Sequence, residues 1–205
     1  FIEDWLVRKL NVKFLSIGDD FKFGAKRLGN FVMLQQAGEK FGFTVEDSHS
    51  FCLNELRISS TAIREALAKD DLALAEKLLG RPYRILGRVI HGNELGRTIG
   101  FPTANIRLHC QVNPVKGVYA VKVRLKSGAL FNGVANIGTR PTINGMNQLL
   151  EAHLFDFQGD LYGQWLEVEL CHKIRNEMKF PSFEDLKKQI AQDVETAKTF
   201  LEGVE

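Results

Sequence analysis

Hydrophobic and polar positions divide this chain into two regimes. Over residues 1–10, Ile2, Trp5, Leu6 and Leu10 recur on one side of a short amphipathic helix, and 12–17 reads as a buried strand running into the Gly18-Asp19-Asp20 turn. Residues 30–41 return to helical spacing through Phe31, Leu34, Ala37, Gly38 and Phe41, and 44–47 supplies a second strand. This order predicts α/β architecture, the back end of a doubly wound domain, with a ligand crevice at the carboxyl end of the first strand.

Ser59, Ser60 and Thr61 stand where a helix N-cap belongs, before the helical run Ala62-Ile63-Arg64-Glu65-Ala66-Leu67, which puts Arg64 in the first turn. A cation there opposes the helix dipole. Two readings follow: ordinary capping with a solvated arginine, or hydroxyls, free N–H groups and a guanidinium converging on a phosphate. Residues 72–79 form another short helix ended by Gly80-Arg81-Pro82. The domain boundary is placed there, giving domains of 1–80 and 81–205.

After residue 82 the pattern changes to strands at 83–90, 104–108, 118–125, 129–135, 150–155 and 165–170, with period two clearest at Tyr119, Val121, Val123 and Leu125. Lys126-Ser127-Gly128 and Gln158-Gly159-Asp160 supply tight connections. Six strands without an intervening long helix predict a small closed barrel, which removes sheet edges. A last helix is capped by Ser182 with Asp185, and its stripe of Phe183, Leu186, Ile190, Val194 and Ala197 is expected to pack on the barrel.

Composition narrows the function class. Basic residues number 27 against 25 acidic ones, for a net charge of +2, and they are interspersed instead of striped. That favours small anionic ligands over a nucleic-acid surface. An oligonucleotide-binding barrel would interleave aromatics with Lys and Arg along one strand face, and Tyr119-Ala-Val-Lys-Val-Arg offers one such pair. Cys52, Cys110 and Cys171 have no ligand spacing and read as free thiols of a reducing compartment. The sequence has no apolar run of membrane-spanning length and no signal-peptide pattern, so a cytoplasmic location is expected. The start Phe1-Ile2-Glu3-Asp4 lacks methionine, as a fragment of a longer protein would.

The densest chemistry lies in Gly87-Arg88-Val89-Ile90-His91-Gly92-Asn93-Glu94-Leu95-Gly96-Arg97 and Gly100-Phe101-Pro102-Thr103-Ala104-Asn105. Glycines allow close backbone approach, arginines hold phosphate oxygens, and a hydroxyl and an amide can face a hard cation. The spacing matches neither a Walker loop nor a dinucleotide fingerprint. Composition alone leaves a glycine-rich hairpin connection as an equal alternative.

These segments, followed by Gly117-Val-Tyr-Ala-Val121, Asn136-Ile-Gly-Thr-Arg-Pro-Thr142 and Glu151-Ala-His-Leu-Phe-Asp-Phe157, resemble the flavokinase signature in order. Residues 81–195 are thus similar to a riboflavin kinase domain. Upstream, Gly18-Asp-Asp-Phe-Lys-Phe-Gly24 and Arg57-Ile-Ser-Ser-Thr-Ala-Ile-Arg64 resemble two late motifs of the FMN adenylyltransferase half of the bacterial bifunctional flavokinase/FAD synthetase family. That family's early His-x-Gly-His motif surrounds none of His49, His91, His109, His153 or His172.

The resemblance implies an α/β, partial doubly wound nucleotidyltransferase domain followed by a six-stranded β-barrel flavokinase domain with a C-terminal helix. It implies magnesium- and ATP-dependent conversion of riboflavin to FMN, with adenylylation of FMN to FAD in the full-length protein. The partners implied are riboflavin, FMN and ATP, without nucleic acid or membrane. By the same resemblance Glu151 is the catalytic base, while Thr103 and Asn105 hold the metal. Gly87, Val89, His91, Gly92, Arg97, Gly100 and Pro102 join them around ATP. Asn136, Arg140, Thr142, Arg175, Glu177 and Phe180 bind the flavin. Asp20, Phe21, Ser59, Ser60, Thr61 and Arg64 bind the adenylyltransferase nucleotide. His153 is expected to be a satisfied structural histidine, and Met146 and Phe155 lie where an isoalloxazine pocket or plain core is expected. The competing class is a non-catalytic flavin-binding regulatory module.

Overall fold

In the computed structural model the described residues are 1–18, 20–48, 52–53, 56–92, 100–108, 113–142 and 145–203, the side chains of 140–142 and 145–147 excepted. They form two compact units, Phe1–Ile58 and Ser59–Glu205. Asp19, Arg97 and Cys110 lie outside the described residues, as do the side chains of Arg140, Thr142 and Met146.

The first unit comprises an opening helix Ile2–Lys9, strand β1 (Phe14–Gly18), helix α1 (Phe31–Phe41) and strand β2 (Thr44–Ser48). β1 and β2 pair in parallel from Phe14↔Thr44 to Gly18↔Ser48, with α1 in the crossover. Asn30 caps α1, its side chain accepting from the Met33 N–H at 3.0 Å. Leu6, Ile17 and Leu34 form the small core. β1 begins two residues later than the pattern suggested and is not a buried strand: Ile17 is covered, but Phe14 is 56% exposed. Its pairing among the described residues is with β2 alone. A two-residue ladder, β3 (Cys52–Leu53) on β4 (Leu56–Arg57), escaped the sequence reading because two residues per strand carry no period.

The second unit holds helices α2 (Ser60–Ala68) and α3 (Leu72–Leu79), then β5 (Arg84–Ile90), β6 (Ala104–Leu108), β7 (Gly117–Leu125), β8 (Leu130–Thr142), β9 (Gly145–Leu154), β10 (Trp165–Arg175) and α4 (Phe183–Glu202). The six strands close into an antiparallel barrel in the order β10-β5-β6-β9-β8-β7. Val89, Ile106, Val121, Ile137, Leu150 and Val168 are among the side chains filling it. Ala66 and Leu67 of α2 and Ala75 of α3 join the same core. The Tyr119 hydroxyl donates to Asp70 at 2.9 Å, between the two helices, and the Lys173 ammonium donates to the other carboxylate oxygen at 2.6 Å. Residues 80 and 81 mark the change from helices to strands, whereas the compact units part at Ile58 and Ser59, because α2 and α3 pack with the barrel.

Three strands outrun their expected lengths. β8 and β9 stay paired from Gly133↔Leu154 to Thr142↔Gly145, through a Gly-, Thr- and Pro-containing stretch that composition marks as loop. β10 continues to Arg175 past register shifts at Leu170/His172 and Lys173/Arg175, which erase its period of two. α4 packs on the barrel through the later part of the expected stripe: Val194, Ala197 and Leu201, with Ile190 partly buried beside them, cover Val118, Ala120 and Val134 on the outer side of β7 and β8, whereas Phe183, expected in the same stripe, is 51% exposed at the first turn. Its cap runs through one hydroxyl, with Ser182 Oγ accepting from the Asp185 N–H at 3.1 Å and donating to the Asp185 carboxylate at 2.6 Å. No helix among the described residues is long and apolar enough to cross a membrane.

Candidate active site

The strand registers bring residues far apart in sequence into one line. Asn105 pairs with both Ile90 and Glu151, Glu151 with Asn136, Asn136 with Val118, and Val118 with Arg175. Directly opposed residues point to the same face of a sheet, with Cβ atoms roughly 4.5–5.5 Å apart. On β9 the buried Leu150, Ala152 and Leu154 fill the barrel, so Glu151 and His153 face outward. On β6 Ala104 and Ile106 point in, and Asn105 points out. The carboxylate of Glu151 thus stands between two carboxamides, Asn105 and Asn136, on the outer face.

The segment entering β6 is held from several sides. The His153 Nδ1–H donates to the Pro102 carbonyl at 2.9 Å, and Phe101 meets the imidazole edge-on with ring centres 5.4 Å apart. Asn105 is 5% exposed, and its Nδ2 donates to the Thr103 carbonyl at 3.4 Å. The backbone of Gly92 lies flat on that carboxamide, where any Cβ would collide with it. His91 stacks on Tyr162 with ring centres 3.9 Å apart. Pro102, Thr103, Asn105, Val89, Asp160 and Tyr162 border a cleft of about 100 Å³. Of the residues expected around ATP, these neighbours come together. Gly87 stands apart on the inward face, where its missing side chain makes room for Ile106, and Gly100 turns the chain with φ 86°, with none of the described residues crowding the position of a Cβ there.

Among the residues expected at the flavin, Arg175 has a structural partner that the sequence reading missed. Its guanidinium makes a two-pronged bond to Asp193 of α4, Nε to Oδ1 at 2.9 Å and Nη2 to Oδ2 at 2.8 Å, and Gln189 donates to the same carboxylate at 3.0 Å. Asp193 is 3% exposed. The signal was an aspartate beside Val194 on the apolar side of an amphipathic helix, which demands a partner. Arg175 also lies over the Phe180 ring at 5.7 Å. The Glu177 carboxylate rests on Gly138, two residues beyond Asn136 on the same face of β8.

Among the described residues two titrating groups are strongly perturbed. Burial, and then the neighbouring Glu169 carboxylate, push the Cys171 thiol up to about 11. This suits the expected inert free thiol; Cys52 is free and exposed. Burial first, then its bond to Asp70, hold the Tyr119 phenol well above the usual range.

The residues expected to bind the adenylyltransferase nucleotide fall in both units. In the first, Asp20 pairs with Arg57 at 3.6 Å on the surface, and Phe21 stacks on Phe23 with centres 5.9 Å apart. In the second, Ser59 Oγ accepts from the Ala62 N–H at 3.1 Å as the expected cap. α2 starts at Ser60, ahead of the expected first residue Ala62, so Arg64 sits one turn up and not in the first turn, and it donates back to Ser60 Oγ at 3.3 Å. Thr61 is exposed in the first turn.

Comparison with known proteins agrees with both parts of this layout. Residues 79–201 match the riboflavin kinase family and residues 1–62 the FAD synthetase family. The chain is 77% identical, over 98% of its length, to the bifunctional riboflavin kinase/FMN adenylyltransferase of Haemophilus influenzae, and spans 65% of that protein. It is 58% identical to the protein of the same name from Escherichia coli K12, again over 98% of its length and 64% of the relative. A crystal structure of a protein described as a macrolide-efflux protein from Streptococcus pneumoniae superimposes with a TM-score of 0.73 at 32% identity, covering 96% of this chain and 64% of that one. Since the family match takes in the whole barrel and α4 as far as Leu201, the chain belongs to the riboflavin kinase family.

Proposed function

We propose that this chain transfers the γ-phosphoryl group of ATP to riboflavin, giving FMN, and that in the longer proteins it resembles a complete adenylyltransferase domain carries FMN on to FAD. The observation that carries the reading is the line Asn105–Glu151–Asn136, a carboxylate flanked by two carboxamides, of which Asn105 also borders the cleft together with Thr103.

Phosphoryl transfer depends mainly on positioning and charge neutralisation. Glu151 is the group that accepts the proton of the riboflavin hydroxyl, a role that a carboxylate within hydrogen-bond reach can fill. The neutral oxygens of Thr103 and Asn105 suit magnesium, which takes few protein ligands and keeps several waters. Bound there, the ion would neutralise charge on the phosphates. Pro102, Gly92 and the His91–Tyr162 stack border the nucleotide side, while Asn136, Glu177 and Phe180 border the flavin side, with Arg140 and Thr142 assigned there by resemblance. The substrates are small soluble metabolites, and a cytoplasmic setting fits the free thiols. The comparisons give a non-catalytic regulatory module no support.

The test is direct: purified chain, riboflavin, ATP and magnesium should yield FMN at enzymatic turnover, read by chromatography. Absence of FMN with a folded protein would overturn the reading.

A further inference from the structure

His153 takes no part in the chemistry above, yet it is the side chain that ties the nucleotide-facing segment to the strand bearing Glu151. Pro102 has no N–H, so its carbonyl is its one backbone polar group, and the His153 Nδ1–H holds it at 2.9 Å. In a trans peptide the carbonyl and the following N–H point in opposite directions. Fixing the Pro102 carbonyl toward β9 therefore turns the Thr103 N–H away from β9 and sets the direction in which the chain enters β6. The imidazole is itself held. Phe101 meets its edge at 84° and Phe155 flanks it with ring centres 5.9 Å apart, while the Lys198 ammonium lies over Phe155 at 5.7 Å. A donor clamped between two aromatic rings and aimed at one carbonyl defines a geometry more narrowly than packing alone would.

We propose that His153 is a positioning residue: through the Pro102 carbonyl it orients Thr103 for the magnesium–nucleotide, without touching the reacting atoms. This rests on the reading that Thr103 and Asn105 face the nucleotide. Three substitutions separate positioning from packing. His153→Phe keeps the ring between Phe101 and Phe155 and deletes the donor. His153→Asn places an amide N–H near the former Nδ1–H, and His153→Gln places it farther out.

The measurement is calorimetric binding of magnesium-ADP in the absence of riboflavin, alongside separate KM values for ATP and riboflavin. His153→Phe and His153→Gln should weaken magnesium-ADP binding about 5- to 20-fold, the scale of one lost hydrogen bond. His153→Asn should recover to within about twofold of wild type on the same scale, with the riboflavin KM unchanged in all three. Wild-type binding by His153→Phe would overturn the proposal. So would equal losses in all three variants, or parallel rises in both KM values, because those are the marks of a packing role. A wild-type chain that binds magnesium-ADP but makes no FMN would instead overturn the kinase reading and leave the role of His153 standing on the binding data.

Discussion

Arg175, at the end of β10, and Asp193, in the middle of α4, form a two-pronged ion pair whose carboxylate is buried and whose guanidinium is largely covered, with side-chain exposures of 4% and 17%. Removing one member of such a pair strands the other in a poorly solvated site. Asp193→Ala is expected to cost about 3–5 kcal/mol of stability, with Asp193→Asn milder because it retains an acceptor. Urea unfolding measures this. A loss below about 1 kcal/mol would class the pair with exposed ones.

Glu151→Gln keeps the shape and removes the proposed base. Turnover should fall about 10²–10⁴-fold while riboflavin and ATP bind nearly as before, a pattern visible when kcat is compared with dissociation constants. A drop under about threefold would take Glu151 out of the mechanism, since base catalysis contributes far more than that.

Thr103→Val is close in volume but deletes the hydroxyl. A partner left unpaired costs roughly 1–3 kcal/mol, so the magnesium concentration needed for half-maximal activity should rise clearly. An unchanged magnesium titration would mean that the segment only scaffolds the cleft.

The raised thiol of Cys171 has two consequences. Its folded value of about 11 lies above its ordinary value, so the stability it confers is complete below about pH 9 and is lost as pH rises through about 11. Cys171→Ala should show a shallower alkaline decline in unfolding midpoint across that window. Near neutral pH the thiolate is scarce, and alkylation followed by peptide mass analysis should mark the exposed Cys52 well before Cys171. Equal labelling rates would contradict the burial of Cys171.

None of the five histidines lies in a His-x-Gly-His sequence. If that motif supplies phosphate-stabilising donors, as the family resemblance implies, this 205-residue chain should make FMN but essentially no FAD, because losing one such donor alone costs about 10²–10³-fold. Incubation with FMN, ATP and magnesium decides it. FAD appearing at a rate comparable to FMN synthesis would show that adenylyl transfer proceeds without the motif.

The barrel was legible because β7 places Tyr119, Val121 and Val123 at a period of two, and the caps of α2 and α4 because Ser59 and Ser182 announce them. Composition hid the long β8–β9 ladder, since glycine and proline resemble a loop until a partner strand holds them. The identities of Thr103, Asn105 and Glu151 came from motif resemblance. The alignment of Asn105 with Glu151 across β6 and β9 is a property of register, which no local pattern encodes. The His153–Pro102 bond was hidden for the same reason, as it joins segments that meet only when β6 and β9 pair, whereas the Arg175–Asp193 pair left a trace in the aspartate on the apolar side of α4 but not the identity of its partner.

α4 reaches both sides of the proposed site. Asp193 and Gln189 hold Arg175 beside the flavin-side residues, and Val194, Ala197 and Leu201 belong to the apolar cluster against which Phe101 packs on the nucleotide side. On the proposed assignment of these two sides, a shift of this helix would be felt by both substrates at once. If flavin binding steadies α4, the free energy it contributes to nucleotide affinity must equal what the nucleotide returns to flavin affinity, since linkage is reciprocal. Substitutions along the covered face of α4, remote from any transferred atom, would then change the mutual dependence of the two affinities more than either affinity alone.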